Sequence, residues 1–124
     1  MLTTGVDLVE IARVQRAVSS NGDRFLRRVF TQNEILYCRG RVSELAARFA
    51  AKEAVSKALG VGLRALARDG IHWKDVEVTG DSRGKPIVRL SGRAAERAAE
   101  LGLTEWSVSL THTREHAMAF VVAQ

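Results

Sequence analysis

Apolar positions along the chain follow two spacings, one typical of strands and one typical of helices. Trp106, Val108 and Leu110 alternate with polar residues, which predicts a half-buried strand. Residues 117–123 are almost continuously apolar, which predicts a strand at the centre of a sheet. The same criteria predict further strands beginning at Gly5 and over residues 71–78 and 87–90.

Helical spacing accounts for most of the other apolar positions. It predicts helices over residues 11–18, 25–30, 35–37, 45–59 and 93–101. Asp23 is expected to cap the second of these helices, and Thr31 with Glu34 has the pattern of a capping box. Helices mixed with antiparallel strands indicate an α+β fold. With no repeat or linker, we expect one compact domain over residues 1–124, an antiparallel sheet packed with helices.

The helix RFAAKEAVSKALG, residues 48–60, has no broad polar face. Its apolar residues are spread around most of its circumference, which predicts a buried helix. The same helix carries Arg48, Lys52, Glu53 and Lys57. An unpaired charge on a buried helix is costly, so these side chains need partners.

The positive charge of the chain is concentrated in its first third. The net charge is +5 for 124 residues. Seven arginines stand against two acids between Arg13 and Arg41, so this segment alone accounts for the excess. Such a segment favours an acidic partner, either a nucleic acid or an acidic protein. Because the sequence has no zinc-finger or RRM motif and few aromatic residues for base stacking, we expect no nucleic-acid binding.

The sequence also predicts the compartment. There is no apolar run long enough to cross a membrane and no signal-peptide pattern at the N-terminus. The one cysteine, Cys38, cannot form an internal disulfide and is expected to be structural. These features predict a cytoplasmic protein with no membrane partner.

Four polar residues are not explained by the core pattern. Asp7 interrupts an apolar strand, Glu53 and Lys57 lie on the apolar helix, and His112 follows the strand that ends at Leu110. Two carboxylates and a lysine suit a Mg²⁺ ion that binds phosphate. Simpler roles are open for each: Asp7 as a turn or cap residue, Glu53 and Lys57 as an i,i+4 ion pair, and His112 as a solvated loop residue.

Five segments in order carry a resemblance to a known family. They are GVDLVEI, RFLRRVFTQNE, RFAAKEAVSKALG, GKP and VSLTHT. Together they resemble the holo-[acyl-carrier-protein] synthases, small bacterial phosphopantetheinyl transferases, over nearly the whole chain. The third segment is the most specific. The family often has Ser-His-Thr where this chain has Thr111-His112-Thr113. Thr111 therefore replaces a serine, and it keeps the hydroxyl group.

The resemblance implies a phosphopantetheinyl transferase fold and a reaction. The family transfers the 4′-phosphopantetheine group of coenzyme A to a serine of apo acyl carrier protein, in fatty acid biosynthesis. Adenosine 3′,5′-bisphosphate is released, and the reaction needs Mg²⁺. The family is typically a homotrimer with active sites at subunit interfaces.

The resemblance also implies roles for individual residues. The implied catalytic set is Asp7, Glu53, Lys57 and His112, with Asp7 and Glu53 as metal ligands. The implied coenzyme A site comprises Arg48, Lys57, Lys85, Pro86, His112 and Thr113. Arg13, Arg24 and Arg28 match residues that bind acyl carrier protein. The base that deprotonates the carrier serine stays open between a metal-bound water, a carboxylate such as Glu53, and His112.

Two other functions compete with the transferase. One is a nucleic-acid-binding module, suggested by a pI of about 10.1. The other is an inactive relative that only binds coenzyme A.

Overall fold

The computed structural model describes residues 1–63 and 70–124. The described chain begins with a strand and a run of four α-helices, and continues with further strands and one more α-helix. The helices are α1 (Ile11–Asn21), α2 (Asp23–Val29), α3 (Gln32–Cys38), α4 (Val42–Ala58) and α5 (Gly92–Glu100). The strands are β1 (Thr3–Glu10), β2 (Val76–Gly80), β3 (Pro86–Leu90), β4 (Trp106–His112) and β5 (His116–Ala123).

The strands described form two antiparallel sheets. The larger has the order β1-β5-β4, so β5 is central, as its continuous apolar sequence predicts. The smaller is the β2–β3 hairpin, in which Val78 lies opposite Val88 and Gly80 opposite Pro86. The α+β class with antiparallel strands is therefore confirmed.

Helix α4 lies between the two sheets. It packs against β1 and β5 on one side and approaches β2 on another. Its alanines at 46, 50, 51 and 54 are fully buried, because small side chains allow close packing on all sides. The prediction that this helix is buried is confirmed.

Glycine permits an especially close approach between β1 and α4. A Cβ at Gly5 would lie 1.9 Å from the carbonyl oxygen of Ala54. Only a residue without a side chain fits there, and this contact places the middle of β1 directly on α4.

The larger sheet covers α4 with one face and leaves its other face open. Val9, Ala119 and Val121 are buried, whereas their neighbours in sequence alternate to the outside. The exposed apolar side chains form the cross-strand pairs Val6–Phe120 and Leu8–Met118. No helix in the described parts of the chain is long and apolar enough to span a membrane.

Two local predictions were wrong. Asp23 does not cap α2: Gly22 occupies the N-cap position and Asp23 is the first helical residue. The stretch 71–78 is not a strand throughout, because Trp73–Asp75 forms a 3₁₀ turn and β2 begins at Val76. The Asp75 carboxylate accepts a hydrogen bond from the His72 backbone N–H at 3.1 Å, which favours the turn over an extended chain. The capping box of Thr31 and Glu34 is confirmed.

Candidate active site

Helix α4 carries two stripes of charge. Arg48 and Lys52 are one turn apart, and so are Glu53 and Lys57. At 3.6 residues per turn the two stripes are separated by about 140° around the helix. One stripe faces the β2–β3 hairpin and the other lies beside β1.

The stripe beside β1 brings together the predicted metal and phosphate residues. Lys57 Nζ lies 3.0 Å from Asp7 Oδ1 and donates to the Val6 carbonyl oxygen at 2.9 Å. The Asp7 side chain is 12% exposed, and the Lys57 side chain is 55% exposed. The ion pair of Lys57 is thus made with Asp7 on the neighbouring strand, and its ammonium group remains accessible to a ligand.

Glu53 completes this group from the preceding turn of α4. Burial raises the pKa of the Glu53 carboxyl above its ordinary value, and the nearby Asp7 carboxylate adds to the rise. The positive charges of Arg13 and Lys57 act in the opposite direction. Two carboxylates that repel each other in a half-buried position form a donor set suited to a divalent cation.

The group offers a metal two carboxylates from this chain. Among residues 1–63 and 70–124, no cluster of three or more His, Cys, Asp or Glu side chains could hold a metal ion. A closed protein cage of the zinc type is therefore absent from the described part of the chain. The arrangement matches the habit of Mg²⁺, which takes one or two carboxylates and completes its shell with water and phosphate oxygens.

Three of the predicted coenzyme A residues lie together on the other side of α4. Arg48, Pro86 and His112 line one pocket of about 170 Å³. The rest of its lining comprises Tyr37, Glu44, Ala47, Gly84, Leu110 and Thr111. Asp7, Glu53 and Lys57 are not part of this lining, so within one chain the two groups of predicted residues are separate.

Arg48 is held firmly at the floor of this pocket. Its side chain is buried, and Nε donates to the Val78 carbonyl oxygen at 2.9 Å. Nη1 lies 2.9 Å from Glu44 Oε2, and the guanidinium carbon lies 4.6 Å from the centre of the Tyr37 ring. A planar cation bound on several sides keeps one orientation, which suits recognition of an anionic or planar group.

The other predicted binding residues lie near the pocket but outside its lining. Lys85 is exposed in the turn before β3, where its backbone N–H donates to Asp81 Oδ1 at 2.9 Å. The Thr113 hydroxyl accepts backbone hydrogen bonds from Glu115 and His116 at 3.3 and 3.1 Å, so it shapes the turn between β4 and β5. His112, by contrast, lines the pocket and is exposed at the end of β4.

The predicted partner-binding arginines are all exposed. Arg13 lies on α1, and Arg24 and Arg28 lie on α2. Arg13 borders an apolar hollow of about 160 Å³ that is also lined by Phe25 and Phe49. Arg13 also acts on the pKa of Glu53, so the basic surface borders the carboxylate group.

Sequence reasoning missed one charged pair in the core. Lys52 Nζ lies 2.7 Å from Glu34 Oε1, and both side chains are fully buried. Burial lowers the pKa of Lys52, and the Glu34 carboxylate opposes that change. Two features of the sequence pointed to this pair. Helix α4 has no polar face on which Lys52 could be solvated, and Glu34, the capping-box glutamate, lies at the start of α3, the short helix that precedes α4.

Comparisons with known proteins extend over almost the entire chain. The family model of the 4′-phosphopantetheinyl transferase superfamily matches residues 3–121. The chain is 54% identical over 124 residues to the holo-[acyl-carrier-protein] synthase of Herpetosiphon aurantiacus, with 98% of each covered. It is 47% identical to that of Ruminiclostridium cellulolyticum, covering 95% of this chain and 88% of the relative.

Solved structures agree in fold. The Helicobacter pylori holo-[acyl-carrier-protein] synthase in complex with coenzyme A matches with a TM-score of 0.86 and 31% identity, covering 98% of this chain and 99% of that one. The corresponding structure from Neisseria meningitidis matches with a TM-score of 0.83 and 32% identity, covering 98% of this chain and 97% of that one.

Proposed function

This chain belongs to the 4′-phosphopantetheinyl transferase superfamily, and from that premise we propose that it is a holo-[acyl-carrier-protein] synthase in activity. It transfers the 4′-phosphopantetheine group of coenzyme A to a serine of apo acyl carrier protein and releases adenosine 3′,5′-bisphosphate, a reaction that serves fatty acid biosynthesis. The observation that carries the proposal is the grouping of Asp7, Glu53 and Lys57 beside β1.

Asp7 and Glu53 would hold Mg²⁺ in this proposal. The Asp7 carboxylate lies close enough to Glu53 to disfavour the charged form of Glu53, and a divalent cation removes that cost. A bound Mg²⁺ supplies positive charge for the pyrophosphate of coenzyme A and for the leaving phosphate. Lys57 adds a point charge for a phosphate oxygen, since its side chain is half exposed beside Asp7.

Coenzyme A would bind on the Arg48 side of α4. The pocket lined by Arg48, Pro86 and His112 holds about 170 Å³, which is less than a drug-sized ligand usually occupies. It would therefore take one part of coenzyme A. Lys85 and Thr113, which lie next to lining residues in the sequence, would contact the part that extends outside.

The carrier serine must lose a proton as it attacks. Glu53 and His112 are the residues of this chain proposed as acceptors, along with a water held at the metal. Burial and Asp7 raise the pKa of Glu53 in the metal-free chain, whereas a bound Mg²⁺ would lower it, so a metal-held Glu53 would be a weaker proton acceptor than a free one. The choice among these acceptors stays a proposal.

Two features support a homotrimer with active sites at subunit interfaces. The metal group and the His112 pocket lie on different sides of α4 in one chain, so one subunit would complete the site of another. The outer face of the larger sheet exposes Val6, Leu8, Met118 and Phe120 side by side. A contiguous apolar patch of this kind is typical of a subunit interface, and a second copy of this chain is its proposed occupant.

Acyl carrier protein would dock on the basic surface of α1 and α2. Arg13, Arg24 and Arg28 are exposed there, and an acidic helical partner complements their charge. Since Arg13 lies close enough to Glu53 to act on its pKa, a carrier bound to these arginines would present its serine near the metal group.

We also propose that residues 1–124 act as one domain in the cytoplasm. One buried cluster includes Val9 from β1, Val55 from α4 and Val78 from β2, so both sheets share a core. Cys38 is the one cysteine of the sequence and is buried as a free thiol, as a reducing compartment allows.

Intact-protein mass spectrometry tests the function directly. Apo acyl carrier protein is incubated with this protein, coenzyme A and Mg²⁺, and a parallel sample contains EDTA. We expect a metal-dependent gain of one phosphopantetheine group on the carrier. No gain with folded protein and several carriers would favour a relative that only binds coenzyme A.

A further inference from the structure

The buried pair of Glu34 and Lys52 joins three elements at one point. Lys52 on α4 donates to Glu34 Oε1 at 2.7 Å, to the Trp73 carbonyl oxygen at 3.1 Å and to the Val76 carbonyl oxygen. Glu34 on α3 accepts the Val78 backbone N–H at Oε2, 2.8 Å away, and the Thr31 N–H at Oε1. The pair thus ties α3 and α4 to the start of the β2–β3 hairpin.

Stability alone is a weak explanation for such a pair. Removing two charges from water is costly, and apolar residues often replace a buried ion pair without loss of stability. What the pair supplies that apolar residues cannot is a directed set of hydrogen bonds to the hairpin backbone. Its best-supported use is therefore to fix where the hairpin lies.

The position that it fixes is Val78, and Val78 leads directly to the coenzyme A pocket. Its N–H donates to Glu34, and its carbonyl oxygen accepts from Arg48 Nε at 2.9 Å. Two residues later Gly80 lies against Tyr37, where a Cβ would lie 2.7 Å from the tyrosine oxygen. Gly80 in turn is paired with Pro86. Arg48, Tyr37 and Pro86 all line the pocket.

From this geometry we infer that Glu34 and Lys52 are positioning residues for coenzyme A: they hold the hairpin against α4 so that Arg48 and Pro86 face each other at the distance the ligand requires. The inference rests on the proposed function. It adds a role for a pair that touches neither the metal group nor the pocket.

The effect should fall on binding of coenzyme A rather than on the transfer step. Lys52 lies on the Arg48 stripe of α4, about 100° around the helix from Glu53 and about 140° from Lys57. Asp7 is held from β1, on the same side as Lys57. A hairpin that shifts would therefore alter the pocket and leave the metal group in place.

A double variant, Glu34→Gln with Lys52→Met, tests the inference. Glutamine is also a capping-box residue, so the start of α3 is preserved, and methionine fills the space of the lysine stem. We expect a folded protein whose Kd and KM for coenzyme A rise about tenfold. With saturating coenzyme A its kcat should remain within about threefold of wild type. Calorimetry gives the Kd without any need for turnover.

Glu77→Gln is the matched control. The Glu77 carboxylate also joins α3 to β2, accepting from Thr31 Oγ1 at 2.6 Å, but it does so outside the buried pair. We expect its affinity for coenzyme A to stay near that of wild type. An equal loss of affinity in both variants would assign the effect to the whole contact between α3 and β2, and the inference would be wrong.

Two further results keep the test decisive. If the double variant does not fold, Glu34→Asp alone, which keeps the counter-charge of Lys52 but shortens the side chain that accepts from Val78, should show the same direction of change with a smaller size. A folded variant of either kind that binds coenzyme A as tightly as wild type overturns the inference. Failure of the proposed function is a different result, since wild type would then give no phosphopantetheine transfer at all.

Discussion

The two lysines of α4, one in each charged stripe, are used in opposite ways. Beside β1, Lys57 is 55% exposed and lies next to Asp7, as does the half-buried Glu53. Beside the hairpin, Lys52 is fully buried and donates to Glu34 and to the carbonyl oxygens of Trp73 and Val76. A lysine with satisfied, buried contacts fixes structure, whereas a lysine with an accessible ammonium group can bind a ligand. Exposure and partners, rather than residue type, separate the two roles.

Removing each lysine in turn is the strongest way to test this difference. Lys52→Met leaves the Glu34 carboxylate buried without its counter-charge, which should lower the free energy of unfolding by about 3–5 kcal/mol. Lys57→Met removes the half-exposed partner of Asp7 and should cost less, about 1 kcal/mol. Urea denaturation measures both values.

Activity should show the reverse order. Lys57→Met should remain folded and lose transfer, because its charge is proposed to meet a phosphate. Equal losses of stability in the two variants would mean that the stripes do not differ in the way described.

The next largest effect is expected at Glu53. Glu53→Gln removes a proposed metal ligand, and loss of one electrostatic contact to the reacting group typically costs about 100- to 1,000-fold in rate. Burial and Asp7 raise the pKa of Glu53, so its charged form opposes folding at neutral pH. The variant should therefore be at least as stable as wild type.

Transfer rates, circular dichroism and the mass of the assembly in solution check this prediction together. Full activity would remove Glu53 from the mechanism. A loss of activity that accompanies unfolding would assign Glu53 to structure instead, together with Lys52.

Much of this arrangement could be predicted from sequence, and the reasons are local. The all-round apolar pattern of α4 predicted its burial, and β5 was predicted as the central strand from its continuous apolar run. The Thr31–Glu34 capping box was recognised from four residues. In each case a short segment contains the whole physical cause.

The parts that sequence reasoning missed depend on distant partners or on competing local contacts. The partner of Lys52 is 18 positions away in the chain, and nothing between them indicates which acid it meets. The turn at Trp73–Asp75 forms because an aspartate side chain competes for a backbone N–H within an otherwise strand-like pattern. The residue pattern alone left Asp7, Glu53 and His112 open between a metal–phosphate site and simpler roles; their assignment to chemistry rested on the family resemblance and stays a prediction.

A smaller effect, on binding of acyl carrier protein, is expected for the exposed arginines of α2. Arg24→Glu or Arg28→Glu should raise the KM for acyl carrier protein about tenfold and change kcat less, because charges at the rim of an interface act mainly on encounter. The change should shrink at high salt, since exposed charges are screened beyond roughly 8 Å at physiological ionic strength.

Arg89→Glu is the control for net charge, because Arg89 is exposed on β3, away from α1 and α2. It should leave the KM for the carrier near that of wild type. An unchanged KM in the Arg24 and Arg28 variants would place the docking surface elsewhere.

The smallest expected effect is at Cys38, a fully buried residue of α3 close to Arg48 and Glu34. Burial raises the pKa of its thiol to about 11, because the thiolate would be formed in a buried environment. At pH 8 the native thiol should therefore react with a thiol reagent far more slowly than the unfolded chain does. Absorbance after addition of Ellman's reagent, with and without urea, measures this ratio.

The pH dependence of stability has a definite sign at Cys38. The unfolded thiol ionises near its ordinary value of 9.0, whereas the folded one stays protonated up to about 11. Between these values the folded state binds more protons, so the contribution of Cys38 to stability falls as pH rises. Comparison with Cys38→Ala across that range isolates the effect from other titrating groups. Rapid labelling of the native thiol at pH 8 would show that solvent readily reaches the buried residues near Arg48. Solvent exposure would then no longer distinguish the two sides of α4.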